Sequence, residues 1–217
     1  MRPAPKLKRT SLVDQAVEQL RNEIIDGSLP PGTPLPEVQV SESLGIARPT
    51  VREVLLQLQN EGLVQRQGRG LALAVTRVTR EQMVDIYTAR LHLEMAGARS
   101  FATAAPADRE ELDRSLEALE AAVASSDRLT QVRLEDRCHT AAVGLTGSRR
   151  LVAAHRQLLM EARLAVITAG LADHEIVMAN HHKFIDLLRS GQAEAACQQL
   201  EERLSAARER LMKNLPE

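Results

Sequence analysis

Apolar positions in the first sixty residues recur with a helical period. Leu12, Ala16, Val17, Leu20, Ile24 and Ile25 share one face and stop at Gly27, which predicts a helix of about 15 residues. A turn follows at SLPPGTPL, and Pro36 opens a short helix through Leu44 that Gly45 ends. Pro49 then falls in the first turn of a third helix, where a missing N–H costs nothing. There Val51, Val54, Leu55 and Leu58 form an i, i+3, i+4, i+7 stripe up to Gly62. Two helices joined this tightly make a helix-turn-helix. LVQR and LALAV flank Gln67-Gly68-Arg69-Gly70, a spacing that suits a two-stranded hairpin with glycines in the turn, here a wing.

From Thr79 onward the pattern is helical throughout. Thr79-x-x-Gln82 is a capping-box start, and the rows Ile86, Leu93, Ala96 and Leu112, Leu116, Leu119 keep helical spacing. Breaks at AAPAD, SSD, LTGS, GLAD and RSG divide the segment into about six helices. Short connections call for antiparallel neighbours, so the product is a bundle large enough to enclose a pocket. The expected fold is therefore mainly α, a winged helix-turn-helix followed by an all-helical antiparallel bundle. Prolines and glycines crowd the first part, and the boundary falls near residues 76–79. The expected organisation is a basic, fraying arm over 1–10, the winged unit over 11–76 and the bundle over 79–213.

Charge and composition narrow the function. With 28 Lys and Arg against 29 Asp and Glu the formal charge is -1, so any contact with nucleic acid is local. Residues 1–78 hold 10 basic against 8 acidic side chains, which makes the first part the mildly basic one. Aromatic residues are 1% of the chain, too few for the stacking platforms of single-strand readers. Cys138 and Cys197 lie far apart within helical patterns and are expected to stay reduced. No apolar run approaches the roughly 18 residues of a membrane span, and the amino terminus lacks a signal-peptide core. A cytoplasmic protein without membrane partners is expected.

The second helix of the pair carries Arg48, Thr50 and Arg52 in its first turn, opposite the apolar stripe. Arginine can grip guanine O6 and N7 bidentately, threonine can reach phosphate or a thymine methyl, and a helix N-terminus attracts phosphate. Arg69 at the wing tip can reach phosphates or a minor groove. Two arginines at a helix start also suit a solvated surface, and a helix-turn-helix also serves protein contacts; the spacing alone leaves these open.

The run LPEVQVSESLGIARPTVREVLLQLQNEGLVQRQGRG resembles the winged helix-turn-helix of GntR-type bacterial transcription regulators. The resemblance covers roughly residues 11–75 and implies DNA contacts by Arg48, Thr50, Arg52, Gly68 and Arg69. Ala47 stands where the family usually has a Ser or Thr N-cap, a loss of about 1 kcal/mol unless another acceptor serves. VDIYTARLHLEMAGARSFA resembles the first helix of the FCD effector domain found in the FadR branch. This implies a homodimeric regulator on palindromic half-sites of operator DNA, a repressor by the common outcome, whose bundle binds a small carboxylate effector.

Many members of that branch hold a divalent metal with an Asp, a His four residues later, and two further histidines. By resemblance these positions fall on Glu135, His139, His181 and Arg203. Guanidinium offers a metal no lone pair. Two uses of the pocket follow: Zn or Ni on Glu135, His139 and His181, or no cofactor at all, with Arg203 holding a carboxylate bidentately and Arg90 assisting. A third arrangement, a Glu135–Arg203 ion pair, would close an unused site. Competing functions are a metal-dependent enzyme using Glu135, His139 and His181, and a DNA-binding protein with a dead pocket. His92, His155 and His174 have no partners at ligand spacing, His182 should point away from His181, and Cys138, where the family usually has Phe, leaves extra volume or is repacked.

Overall fold

The computed structural model describes residues 11–66, 72–124, 127–169 and 178–215. The chain divides into two compact units, residues 1–76 and 77–217. In the first, α1 (Leu12–Ile25) opens on a capping box in which the Asp14 amide donates to Ser11 Oγ and the Ser11 amide to the Asp14 carboxylate. Its buried face, Ala16, Val17, Leu20, Ile24 and Ile25, packs on α3. Arg21 reinforces the contact with a two-toothed grip on Glu61 at 2.9 and 2.7 Å.

Helix α2 (Glu37–Leu44) ends at Gly45, whose φ of 64° lets the chain reverse into α3 (Arg48–Asn60). Strands β1 (Val64–Arg66) and β2 (Leu73–Val75) pair antiparallel with Gln65 opposite Ala74. A feature absent from the sequence reading joins them. The turn after α1 runs along β2, with Pro34 bridging Ala74 and the Val75 amide donating to the Thr33 carbonyl at 2.9 Å. Its prolines concealed this short third edge, because proline donates nothing to a ladder and reads as a loop.

The second unit comprises α4 (Arg80–Ser100), a 3-10 turn (Phe101–Thr103), α5 (Pro106–Val123), α6 (Arg128–Gly144), α7 (Arg149–Thr168), α8 (Met178–Arg189) and α9 (Ala193–Asn214). The Thr79–Gln82 capping box forms as expected. Short loops place α5 on α6, α6 on α7 and α8 on α9, but α4 packs chiefly against α6, α7 and α9 rather than against α5. Gly97 permits one of these crossings: a Cβ there would lie 2.0 Å from the Ala142 carbonyl oxygen of α6.

The buried face of α4 differs from the predicted row. Leu93 and Ala96 are only half-buried, and the inward stripe is Met83, Ile86, Tyr87, Arg90, Glu94, Gly97 and Ala98. Two charges therefore lie in the middle of the helix that the others surround, an arrangement that burial penalises unless the charges are paired.

Candidate functional site

The recognition-helix face is built as the sequence implied. Val51, Val54, Leu55 and Leu58 are buried, while Arg48 and Arg52 are exposed and Thr50 is half-buried. Ala47 provides no side-chain cap, and its backbone is extended at φ -66°, ψ 144°. The arginines are not free, however. Arg52 Nε donates to both carboxylate oxygens of Glu37 at 2.9 and 2.8 Å, and an Arg48 terminal nitrogen lies 3.6 Å from the same carboxylate. Gly68 and Arg69 lie outside the described residues.

In the bundle the centre of charge is Glu94, a residue the sequence reading passed over. Its side chain is 1% exposed, and donors from four helices converge on it. Arg90 donates to Oε1 at 3.3 and 3.2 Å, His155 Nε2 lies 3.1 Å from Oε1, His139 Nδ1 lies 2.9 Å from Oε2, and Arg203 approaches Oε2 at 3.6 Å. Burial opposes ionisation of Glu94, but His139 and Arg90 beside it and the hydrogen bonds from His139 and His155 hold its carboxyl well below the ordinary range. Burial pushes the His139 ring below its usual value; the nearby Glu94 carboxylate opposes this and Arg203 reinforces it. A signal was present, since Glu94 stands four residues after Arg90 on the face shared by Tyr87 and Gly97.

This hub fixes the chemistry of His139. An acceptor-only carboxylate at 2.9 Å requires Nδ1 to carry the proton, so the neutral ring keeps its lone pair on Nε2. The 3.4 Å approach of Arg203 to the same Nδ1 is then a close contact rather than a hydrogen bond, because a protonated nitrogen accepts nothing. A carboxylate holding the far nitrogen of an imidazole is the usual support for a histidine that presents its other nitrogen to a ligand.

Next to the hub lies a cavity of about 150 Å³ whose wall includes Arg90, Glu135, Asp136, His139, His181 and Arg203. The bundle thus brings together all five residues expected at the effector site. The ligand atoms of Glu135, His139 and His181 lie within 4.8 Å of one another, so the i, i+4 spacing and the distant His181 do converge. The fourth position faces a permanent cation. Arg203 sits against His139 and offers no lone pair, which opposes a resident dication and leaves the set a poor fit to one.

One expectation needs correction. Arg203 pairs with Glu94, and among the described residues no ion pair joins it to Glu135; the buried carboxylate on α4 lies nearer the guanidinium than the one on α6. His155, which has no partner at ligand spacing in the sequence, is a fully buried member of the hub, bonded to Glu94. His92 is exposed and His182 turns to Glu120, while His174 lies outside the described residues. Asp136 borders the cavity and its carboxyl is pushed up to about 7 by burial and by neighbouring Glu135. Cys138 is buried, and burial raises its thiol to about 11, which removes it from redox chemistry.

A winged helix-turn-helix followed by a helical bundle enclosing a polar cavity defines a ligand-binding, DNA-binding regulator. The chain belongs to the gntR family of bacterial regulatory proteins, matched over residues 12–72, in the branch with an FCD domain, matched over residues 85–206. It is 27% identical to a crystallised GntR transcriptional regulator from Rhodococcus sp. RHA1, with a TM-score of 0.79 over 94% of this chain and 99% of that one. It is 26% identical to the HTH-type transcriptional regulator YdhC of Bacillus subtilis over 88% of this chain and 87% of that protein. A D-xylose utilization operon repressor of Paenarthrobacter nicotinovorans is 25% identical over 88% and 84%. The family consists of transcription regulators, and the reading of Glu135, His139 and His181 as the site of a metal-dependent enzyme gives way to it. No helix among the described residues is long and apolar enough to cross a membrane.

Proposed function

We propose that the protein is a cytoplasmic, homodimeric repressor whose bundle binds a small organic acid directly through Arg203, without a resident metal. The observation that carries this is the place of Arg203 itself: a guanidinium in the cavity wall beside His139 and His181, where the family pattern has a metal-binding imidazole. Among the described residues Arg90, Arg163 and Arg210 share that wall with Glu135 and Asp136 as its acids, and burial pushes the Asp136 carboxyl up to about 7. An anion is the ligand such a balance favours.

One recognition helix reads too few base pairs for useful specificity, so paired half-sites on a palindrome supply the rest. Arg48, Thr50 and Arg52 are the side chains this reading places in the major groove. A ligand that prefers one state of the dimer weakens operator binding by the same factor by which operator weakens the ligand.

The test is a thermal-shift screen of small carboxylates and sugar acids in the presence of a chelator, on wild type and Arg203→Ala. A stabilising acid that acts on wild type alone supports direct recognition. Stabilisation that disappears with the chelator refutes it. For the DNA face, Arg52→Ala should weaken operator binding by about tenfold or more in a gel shift, with fold and dimer intact; wild-type affinity would mean the recognition residues lie elsewhere.

A further inference from the structure

We propose that Glu37 is the residue that positions Arg48 and Arg52 for base reading, and so determines operator specificity without itself touching a base. The inference rests on the reading that these arginines meet DNA. Glu37 is the first residue of α2, where the positive end of the helix dipole favours a carboxylate and where Pro36 and the α2–α3 packing fix its backbone. From there it takes both arginines of the neighbouring helix.

The contact with Arg52 is made through Nε, at 2.9 and 2.8 Å to the two carboxylate oxygens. A guanidinium has five N–H groups in a planar fork, so a bond at Nε leaves the edge formed by the two terminal nitrogens available. That edge carries the parallel pair of donors that match guanine O6 and N7. Among the described residues Arg52 has no other hydrogen-bond partner, and its side chain is 62% exposed, so the edge is presented outward rather than spent internally.

Other roles for Glu37 account for less. An exposed ion pair adds little stability. A carboxylate beside the groove-facing arginines lowers affinity for any duplex, since it repels phosphates and reduces the local positive charge. Restraining a flexible arginine in its bound rotamer reduces the ordering cost of binding, and the restraint favours only the base pairs that the restrained geometry fits. The carboxylate thus gives up general affinity and gains discrimination.

The experiment uses the full chain and an operator selected from random duplexes by the wild-type protein. Dissociation constants for the operator and for a non-cognate duplex are measured at two salt concentrations for wild type, Glu37→Gln, Glu37→Asp, Arg52→Ala and the Glu37→Gln/Arg52→Ala double variant. Thermal midpoints establish that each is folded. Glu37→Gln should tighten non-cognate binding yet lower the operator preference by about tenfold, the scale of one bidentate base contact. Glu37→Asp, which keeps the charge but shortens the reach, should lose preference as well. The double variant should be no less selective than Arg52→Ala alone, because the two losses are one loss.

Equal tightening on both duplexes by Glu37→Gln, with wild-type behaviour in Glu37→Asp, would show a charge effect and overturn the proposal. Additive losses would show that Glu37 reads DNA independently, which also overturns it. Unchanged preference in Arg52→Ala would remove the recognition-helix reading and the proposal together, whereas a loss confined to Arg52→Ala removes the proposal alone.

Discussion

Replacing Gly97 by alanine puts a methyl carbon 2.0 Å from the carbonyl oxygen of Ala142, 2.7 Å from its carbonyl carbon and 3.1 Å from the Val143 Cα. All three are backbone atoms of α6, so no rotamer change relieves the clash and the two helices must separate by more than about an ångström to restore van der Waals contact near 3.5 Å. Helix propensity alone favours alanine over glycine by about 1 kcal/mol, whereas overpacking against a core that cannot yield costs roughly 1–3 kcal/mol or more. The crossing lies one turn from the 2.9 Å contact of Glu94 with His139, so separation also lengthens a buried, charge-assisted bond. We expect a net loss of about 3 kcal/mol or more, which in a domain of this size lowers Tm by roughly 6–12 °C. Differential scanning calorimetry measures it. Gly144→Ala, at the end of the same α6 with nothing within 4 Å of the new methyl, is the internal control and should be neutral or stabilising by up to about 1 kcal/mol. If Gly97→Ala melts at or above the wild-type temperature, the close crossing of α4 and α6 is wrong.

The polar centre yields three more expectations. Glu94→Leu strands the buried Arg90 and the nearly buried Arg203 without their shared carboxylate and should cost about 3–5 kcal/mol in denaturant unfolding. Because the folded pKa of Glu94 lies below its unfolded value, the stability it contributes is present above the usual carboxylate range and is lost as pH falls through the folded value, a loss that Glu94→Gln should not show. Asp136 has the opposite sign: with a folded value of about 7 against 3.8 unfolded, its contribution is present below about pH 4 and is lost as pH rises toward 7. Asp136→Asn should flatten this slope and make affinity for an anionic ligand less dependent on pH, as isothermal calorimetry at several pH values would show. Arg203→His should gain stabilisation by Zn or Ni that wild type lacks; an equal metal response in both proteins would mean that the guanidinium does not exclude the ion.

Periodicity and turn chemistry determined the elements. The stripe at Val51, Val54, Leu55 and Leu58, the capping box at Thr79 and Gln82, and the glycine at 45 act within a few residues, so their consequences are legible in a linear string. The resemblance carried Glu135, His139, His181, Arg90 and Arg203 to one region by position alone, and they do line one cavity. Which charge would face which was decided only by the helix crossings. The approach that Gly97 allows brings α4 against α6, and this makes Glu94, rather than Glu135, the partner of Arg203 and recruits His155 from α7. In the first unit, the packing of α2 on α3 sets Glu37 against two arginines that sequence spacing presented as free. Local structure follows from short-range sterics and hydrogen bonding, whereas the pairing of a buried charge depends on residues scores of positions apart, and only the packed core sets their distances.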